Sequence, residues 1–138
     1  MVGQSGKSME DVIRGDGRYP LEAFAFLHDA LNRAVDDVYG PEASASQEVS
    51  EDVSPRHVSG MQLCHAMRDL ALERWGHLAK PVLAKWNIHA TIDLGNMVYL
   101  LVNNSFMRKT DEDSVEDFRD VYSFDDAFNV TMDLRPDE

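Results

Sequence analysis

Between Asp111 and Asp126 the chain places Asp111, Glu112, Asp113, Glu116, Asp117, Asp120, Asp125 and Asp126 against a single cation, Arg119. Carboxylates at this density can hold a hard cation, exchange protons with a substrate, or present charge to a partner. The first use has a known spacing, and this stretch departs from it. Asp111-x-Asp113 opens like a calcium loop, but Val115 and Glu116 stand where the third ligand and the glycine belong. Tyr122 occupies the position of the bidentate glutamate, so the EF-hand pattern fails and only a looser magnesium or calcium site remains as an alternative. Acid–base hydrolysis needs one carboxyl desolvated, with its pKa raised; carboxylates on an exposed tip stay solvated.

The third use fits best. Phe118, Val121, Tyr122, Phe124 and Phe128 alternate with the acids, which offers aromatic anchors inside a field that attracts a basic protein. The expected partner-binding set is Asp113, Glu116, Asp117, Phe118, Asp120 and Tyr122. Two plainer readings fit the same residues. The aromatics can close the domain's own core while the acids cover it, or the acidic segments can fold over the cations Arg68, Arg74, Lys80 and Lys85.

Other chemistry-bearing residues point to less. GQSGKS, from Gly3 to Ser8, has two residues between Gly3 and Gly-Lys-Ser where a phosphate loop needs four, and no strand precedes it. None of the histidines, His28, His57, His65, His77 and His89, lies in a His-x-x-x-His pair. Cys64 and His65 are adjacent, so on a helix they diverge by about 100°, and Cys64 falls on the apolar stripe with Leu63 and Met67. A buried thiol is expected there, with no thiolate zinc cage, no internal disulfide and no assigned catalytic, metal or cofactor residue.

Charge narrows the function class. The net charge is −12 over 138 residues, unevenly spread. Residues 1–52 carry 4 Lys/Arg and 11 Asp/Glu, residues 53–110 carry 7 and 3, and residues 111–138 carry 2 and 11. A mildly basic centre between acidic flanks lacks the cation surplus that displaces phosphate counterions, which argues against nucleic acid. With no membrane-length apolar run, no signal-peptide pattern and one cysteine, a cytoplasmic location without membrane contact is expected.

These side chains need elements to position them. Ser8 and Asp11 can cap a short turn through Ile13. Leu21, Phe24, Leu27, Leu31, Val35 and Val38 recur at spacings of 3 and 4 and predict a helix opened by Pro20 and stopped at Gly40-Pro41. Residues 41–56 have almost nothing to bury and read as a linker or long loop. Ser59 with Gln62 caps a second helix whose stripe is Leu63, Cys64, Met67, Leu70, Ala71 and Trp75, ended by Gly76. A short helix over about 78–86 follows. Thr91 is expected to cap a third, from Ile92 to about Asn103, with Leu94, Met97, Val98 and Leu101 inward. MVYLLV within it also suits a buried strand.

SFMRKT and VEDFRDVYSF around the DEDS tip predict a β-hairpin, followed by a helical turn from Ser123 through Phe128. The expected fold is mainly α (α+β): one domain over 1–138, with a winged-helix-like three-helix core, an extra N-terminal helix and a C-terminal β-hairpin. Residues 1–17 and 131–138 are expected to be flexible, and a plain helical bundle is the alternative. In a winged helix the third helix enters the major groove. Here its outer face shows Asp93, Asn96, Leu100, Asn103 and Asn104, with no Arg for guanine.

RYPLEAFAFL, HVSGMQLCHAMRDLALERWG, LAKPVLAKWNIHATIDLGNMVYLLV and KTDEDSVEDFRDVYSFDDAF resemble, in that order, the blocks of a small family of conserved hypothetical proteins of planctomycetes and verrucomicrobia. The resemblance covers about Arg18 to Phe128 without the linker. It implies a one-domain cytoplasmic bacterial protein and supplies no activity or site residue. The function expected is a non-catalytic protein–protein interaction or regulatory module with an acidic surface. A DNA-binding regulator comes second, and an enzyme or metal-binding protein third.

Overall fold

The apolar spacings of 3 and 4 become helices in the computed structural model, which describes residues 8–40, 58–108 and 113–128. The order is α1 (Met9–Asp16), α2 (Leu21–Tyr39), α3 (Gly60–Trp75), a 3-10 turn (Gly76–Leu78), α4 (Ala79–Lys85), α5 (Thr91–Asn103), a second 3-10 turn (Val115–Phe118) and α6 (Phe124–Ala127). The mainly helical class is as expected, and the 92–103 segment is helix. Residues 41–56 and 131–138 lie outside the described residues.

The expected β-hairpin does not form among the described residues. Ser114 accepts a hydrogen bond from the Glu116 N–H and Ser123 accepts one from the Asp126 N–H, each at 3.1 Å. Both serines thereby start helical turns where the hairpin needs an extended second strand. The aromatic spacing then serves two turns laid on the helices. α1 opens on the Ser8–Asp11 cap read from the sequence. It runs past Ile13 to Asp16, ends at Gly17 with φ +80°, and buries Ile13, although it lies within the stretch expected to be flexible.

α2 and α3 form the central seam. Phe26 meets Trp75, Asp29 meets Arg74 and Arg33 meets Glu73, a sequence of contacts that makes the helices antiparallel. Trp86, just beyond α4, completes an aromatic triangle with Phe26 and Trp75, with ring centroids 5.1–5.8 Å apart. The buried face of α2 is wider than its large residues announce: Ala23, Phe26, Ala30 and Ala34 are buried with Phe24, Leu27 and Val35. Val38, read as part of the stripe, is 40% exposed at the helix end. The α5 stripe is as expected, with Leu94, Met97, Val98 and Leu101 all buried.

Two helix ends use a left-handed residue without glycine. After α4, the Ile88 N–H donates to the Leu83 carbonyl with Asn87 at φ +67°. After α5, the Phe106 N–H donates to the Leu101 carbonyl with Ser105 at φ +68°. Asparagine tolerates this conformation, whereas serine is less suited to it. Ser105→Gly is expected to raise stability by about 0.5–1 kcal/mol, read as a higher denaturation midpoint at unchanged slope.

Candidate functional site

The acidic segment is seated by its aromatic residues. Phe118 is 5% exposed and enters a notch floored by two helical glycines, Gly60 of α3 and Gly95 of α5. A Cβ at Gly95 would lie 2.8 Å from Phe118 Cβ and 2.9 Å from its Cγ; one at Gly60 would lie 3.1 Å from its Cε2. Either glycine would be a good place for alanine in an isolated helix. Each is glycine here because a ring occupies the Cβ position.

Thr91 holds the backbone beside that ring. Its hydroxyl donates to the Phe118 carbonyl at 2.6 Å and accepts from the Val121 N–H at 3.1 Å. Thr91 was expected to cap α5, and the structure assigns that work to Asp93. The Asp93 Oδ2 accepts from the N–H groups of His89 (2.7 Å) and Ala90 (3.0 Å), and the Asp93 N–H donates to the Ala90 carbonyl at 3.0 Å. The Thr91 hydroxyl is committed to the acidic segment, and its side chain is buried.

Tyr122 fastens the next turn, with its hydroxyl donating to the Cys64 carbonyl on α3 at 2.6 Å. Its ring packs with His65, Phe124 and Phe128 at centroid distances of 5.8, 6.1 and 6.4 Å. Burial pushes the Tyr122 phenol well above its ordinary pKa. Burial likewise pushes the Cys64 thiol up to about 12, which removes thiolate chemistry from the native state. Lys80 on α4 pairs with Asp125, and Arg74 with Asp29, so two of the middle-segment cations meet residues of the acidic flanks, while Arg68 pairs with its neighbour Asp69.

The six expected partner-binding residues therefore divide. Glu116, Asp117 and Asp120 are exposed, Asp113 and Tyr122 are half-buried, and Phe118 is a core residue. Glu116 pairs with Arg119 at 2.6 Å, whose guanidinium holds its carboxyl below the usual range. The Asp117 Oδ2 accepts from the Ser114 N–H at 3.0 Å. Asp120 stands in the left-handed region at φ +53°. Asp125 and Asp126 extend the exposed acidic surface. Gly60 and Gly95 were not singled out from the sequence, and Thr91 only as a helix cap; a glycine opening α3 and another within α5 were the available signal for the notch.

The α5 face that includes Asp93, Asn96 and Asn104 is partly covered. The Tyr19 hydroxyl donates to Asp93 at 2.7 Å and accepts from the Asn96 amide at 3.3 Å, while the Asn104 amide donates to its own helix at the Leu100 carbonyl. Burial, then the Asp93 hydrogen bond, pushes Tyr19 up to about 12. Among the described residues no three His, Cys, Asp or Glu side chains converge to hold a metal, and no helix is long and apolar enough to cross a membrane. An open groove of about 580 Å³ beside Ile13, Tyr19, Pro20 and Leu21 brings only Arg14 and Glu22 as charged groups, and Arg14 is paired with Glu10. No protein-family model, curated protein or solved structure matches the chain.

Two outcomes test this geometry. Gly95→Ala should destabilise by about 1–3 kcal/mol through overpacking against Phe118, although alanine favours an isolated helix. Denaturant titration gives the sign directly. The second outcome concerns alkaline pH. Tyr19 and Tyr122 have raised folded-state pKa values, so the unfolded chain loses their protons first as pH climbs above about 10. Their stabilisation is full below that pH and is lost above it. Tyr122→Phe removes one such proton from the unfolded chain, and the fall of stability between pH 10 and 12 should become shallower by up to ~1.4 kcal/mol per pH unit.

Proposed function

We propose that this protein is a non-catalytic interaction or regulatory module whose 113–128 segment presents a fixed anionic surface to a basic protein partner. One observation carries the reading. Glu116, Asp117, Asp120, Asp125 and Asp126 face solvent from a segment whose backbone is pinned by Phe118, Thr91 and Tyr122. Carboxylates on a pinned backbone lose little backbone freedom on binding, and their shared field speeds and orients the encounter with a cationic surface. The aromatic anchoring first assigned to Phe118 is excluded from this surface by its burial, so charge supplies the recognition and Phe118 supplies the rigidity.

Within the same proposal, α3, α4 and α5 form a winged-helix-like three-helix core, with the packed 113–128 segment in place of a wing. The coverage of Asp93 and Asn96 by Tyr19 weighs against a duplex as the partner. A cytoplasmic setting is also proposed, from the lone buried cysteine and the lack of a membrane-crossing helix among the described residues.

The experiment is affinity capture from native lysate, with nuclease present, using the wild-type protein and Glu116→Gln/Asp120→Asn/Asp126→Asn. These changes remove charge while keeping shape, and asparagine accepts the φ of position 120. The expected result is a protein captured by the wild type and reduced at least tenfold by the triple variant, with capture weakening as salt rises. Equal capture by both proteins would sink the anionic-surface reading.

A further inference from the structure

The 113–128 segment is built differently from the rest of the molecule. Its secondary structure consists of two four-residue turns, Val115–Phe118 and Phe124–Ala127, far shorter than a helix that stands alone in water. It carries Asp113, Glu116, Asp117, Asp120, Asp125 and Asp126 with Arg119 as its own cation, so its docked form gathers mutually repelling charge. Its polar anchors to the helices include Thr91 to Phe118 and Val121, Tyr122 to Cys64, and the exposed Lys80–Asp125 pair.

Most of the buried core lies among the helices beneath, and Phe118, Phe124 and Phe128 of the segment join it from outside. Phe26, Trp75 and Trp86 form one aromatic cluster, and Leu27, Ala30, Met67, Ala71, Leu83, Leu94 and Met97 are buried. What the segment adds is Phe118 in the glycine notch and the Tyr122–Phe124–Phe128 cluster over α3. Elements with little internal structure and solvent-exposed backbone hydrogen bonds form the low-stability cooperative units of a protein.

We propose that residues 114–128 act as a strap that opens from α3 and α5 as one unit while the helices stay folded. Opening withdraws Phe118 from between Gly60 and Gly95, breaks the Thr91 and Tyr122 bonds together and frees the acidic residues from fixed positions. The strap thus switches the anionic surface between a pinned and an unpinned state. This goes beyond the docking reading and does not depend on it, because opening is a property of the free chain.

Native-state amide hydrogen exchange on the intact protein, across sub-denaturing urea, decides it. The reporters are the N–H groups of Val121, Ala127 and Phe128 on the strap, bonded to Thr91, Ser123 and Phe124, and the backbone amides of Met67 and Val98 in the helices. The expected result is that the three strap amides share one exchange free energy and one urea slope. They should exchange at least tenfold faster than the helical amides, with less than half their slope. If strap and helical amides share the same rate and slope, the segment opens only with global unfolding and the proposal is overturned. If the three strap amides exchange with unrelated slopes, the segment frays piecemeal, and the proposal is equally overturned. Tyr122→Phe supplies a second reading: losing the bond to Cys64 should speed all three strap amides by a common factor of about two to ten, whereas acceleration of Phe128 alone would contradict a single unit.

Discussion

The insertion of one phenylalanine ring between two helices sets the arrangement of residues 113–128. Phe118 fits because Gly60 and Gly95 lack the atoms that would collide with it. Burying such a ring contributes about 1.5–3 kcal/mol from removed apolar surface. Its larger effect is geometric. With the ring seated, the Phe118 carbonyl and the Val121 N–H both fall on the Thr91 hydroxyl, which acts as donor to one and acceptor from the other. Thr91 is the first residue of α5, and Asp93 accepts from the N–H groups of His89 and Ala90 just before it. The ring, the two glycines and the threonine thus form one dependent set.

The charge distribution follows from that placement. With the aromatics of 113–128 turned inward, its carboxylates are left on the outer surface. Some find cations nearby: Arg119 meets Glu116 and Lys80 meets Asp125. Exposed pairs of this kind contribute little to stability, so they organise the surface more than they hold it. The acidity of the chain is therefore compatible with its fold without being required by it.

The polar network around Tyr19 gives the opposite edge of α5 a structural role. Asp93 accepts from Tyr19 with one oxygen and from two backbone N–H groups with the other, and Asn96 donates to the Tyr19 hydroxyl. Asp93 and Asn96, which share an outward face on a helical wheel with Leu100, Asn103 and Asn104, are the seat of the α1–α2 connection. A wheel shows which side chains share a face, but it does not show whether another part of the chain lies on it.

The sequence by itself determined the helices, because their signals are local. The Ser59–Gln62 capping box, the stops at Gly40 and Gly76, and the stripe Leu94, Met97, Val98 and Leu101 each act within a few residues. It also determined that Cys64 would be buried, since the thiol lies on an apolar stripe. Only the tertiary structure decided the fate of residues 113–128. Alternating acids and aromatics suit a strand, and Ser114 and Ser123 suit helical turns. Neither local preference is decisive by itself. The choice depends on a notch made by glycines 35 positions apart in the chain, Gly60 and Gly95, and on a hydroxyl at position 91. That information is spread across three elements, and no window of sequence contains it.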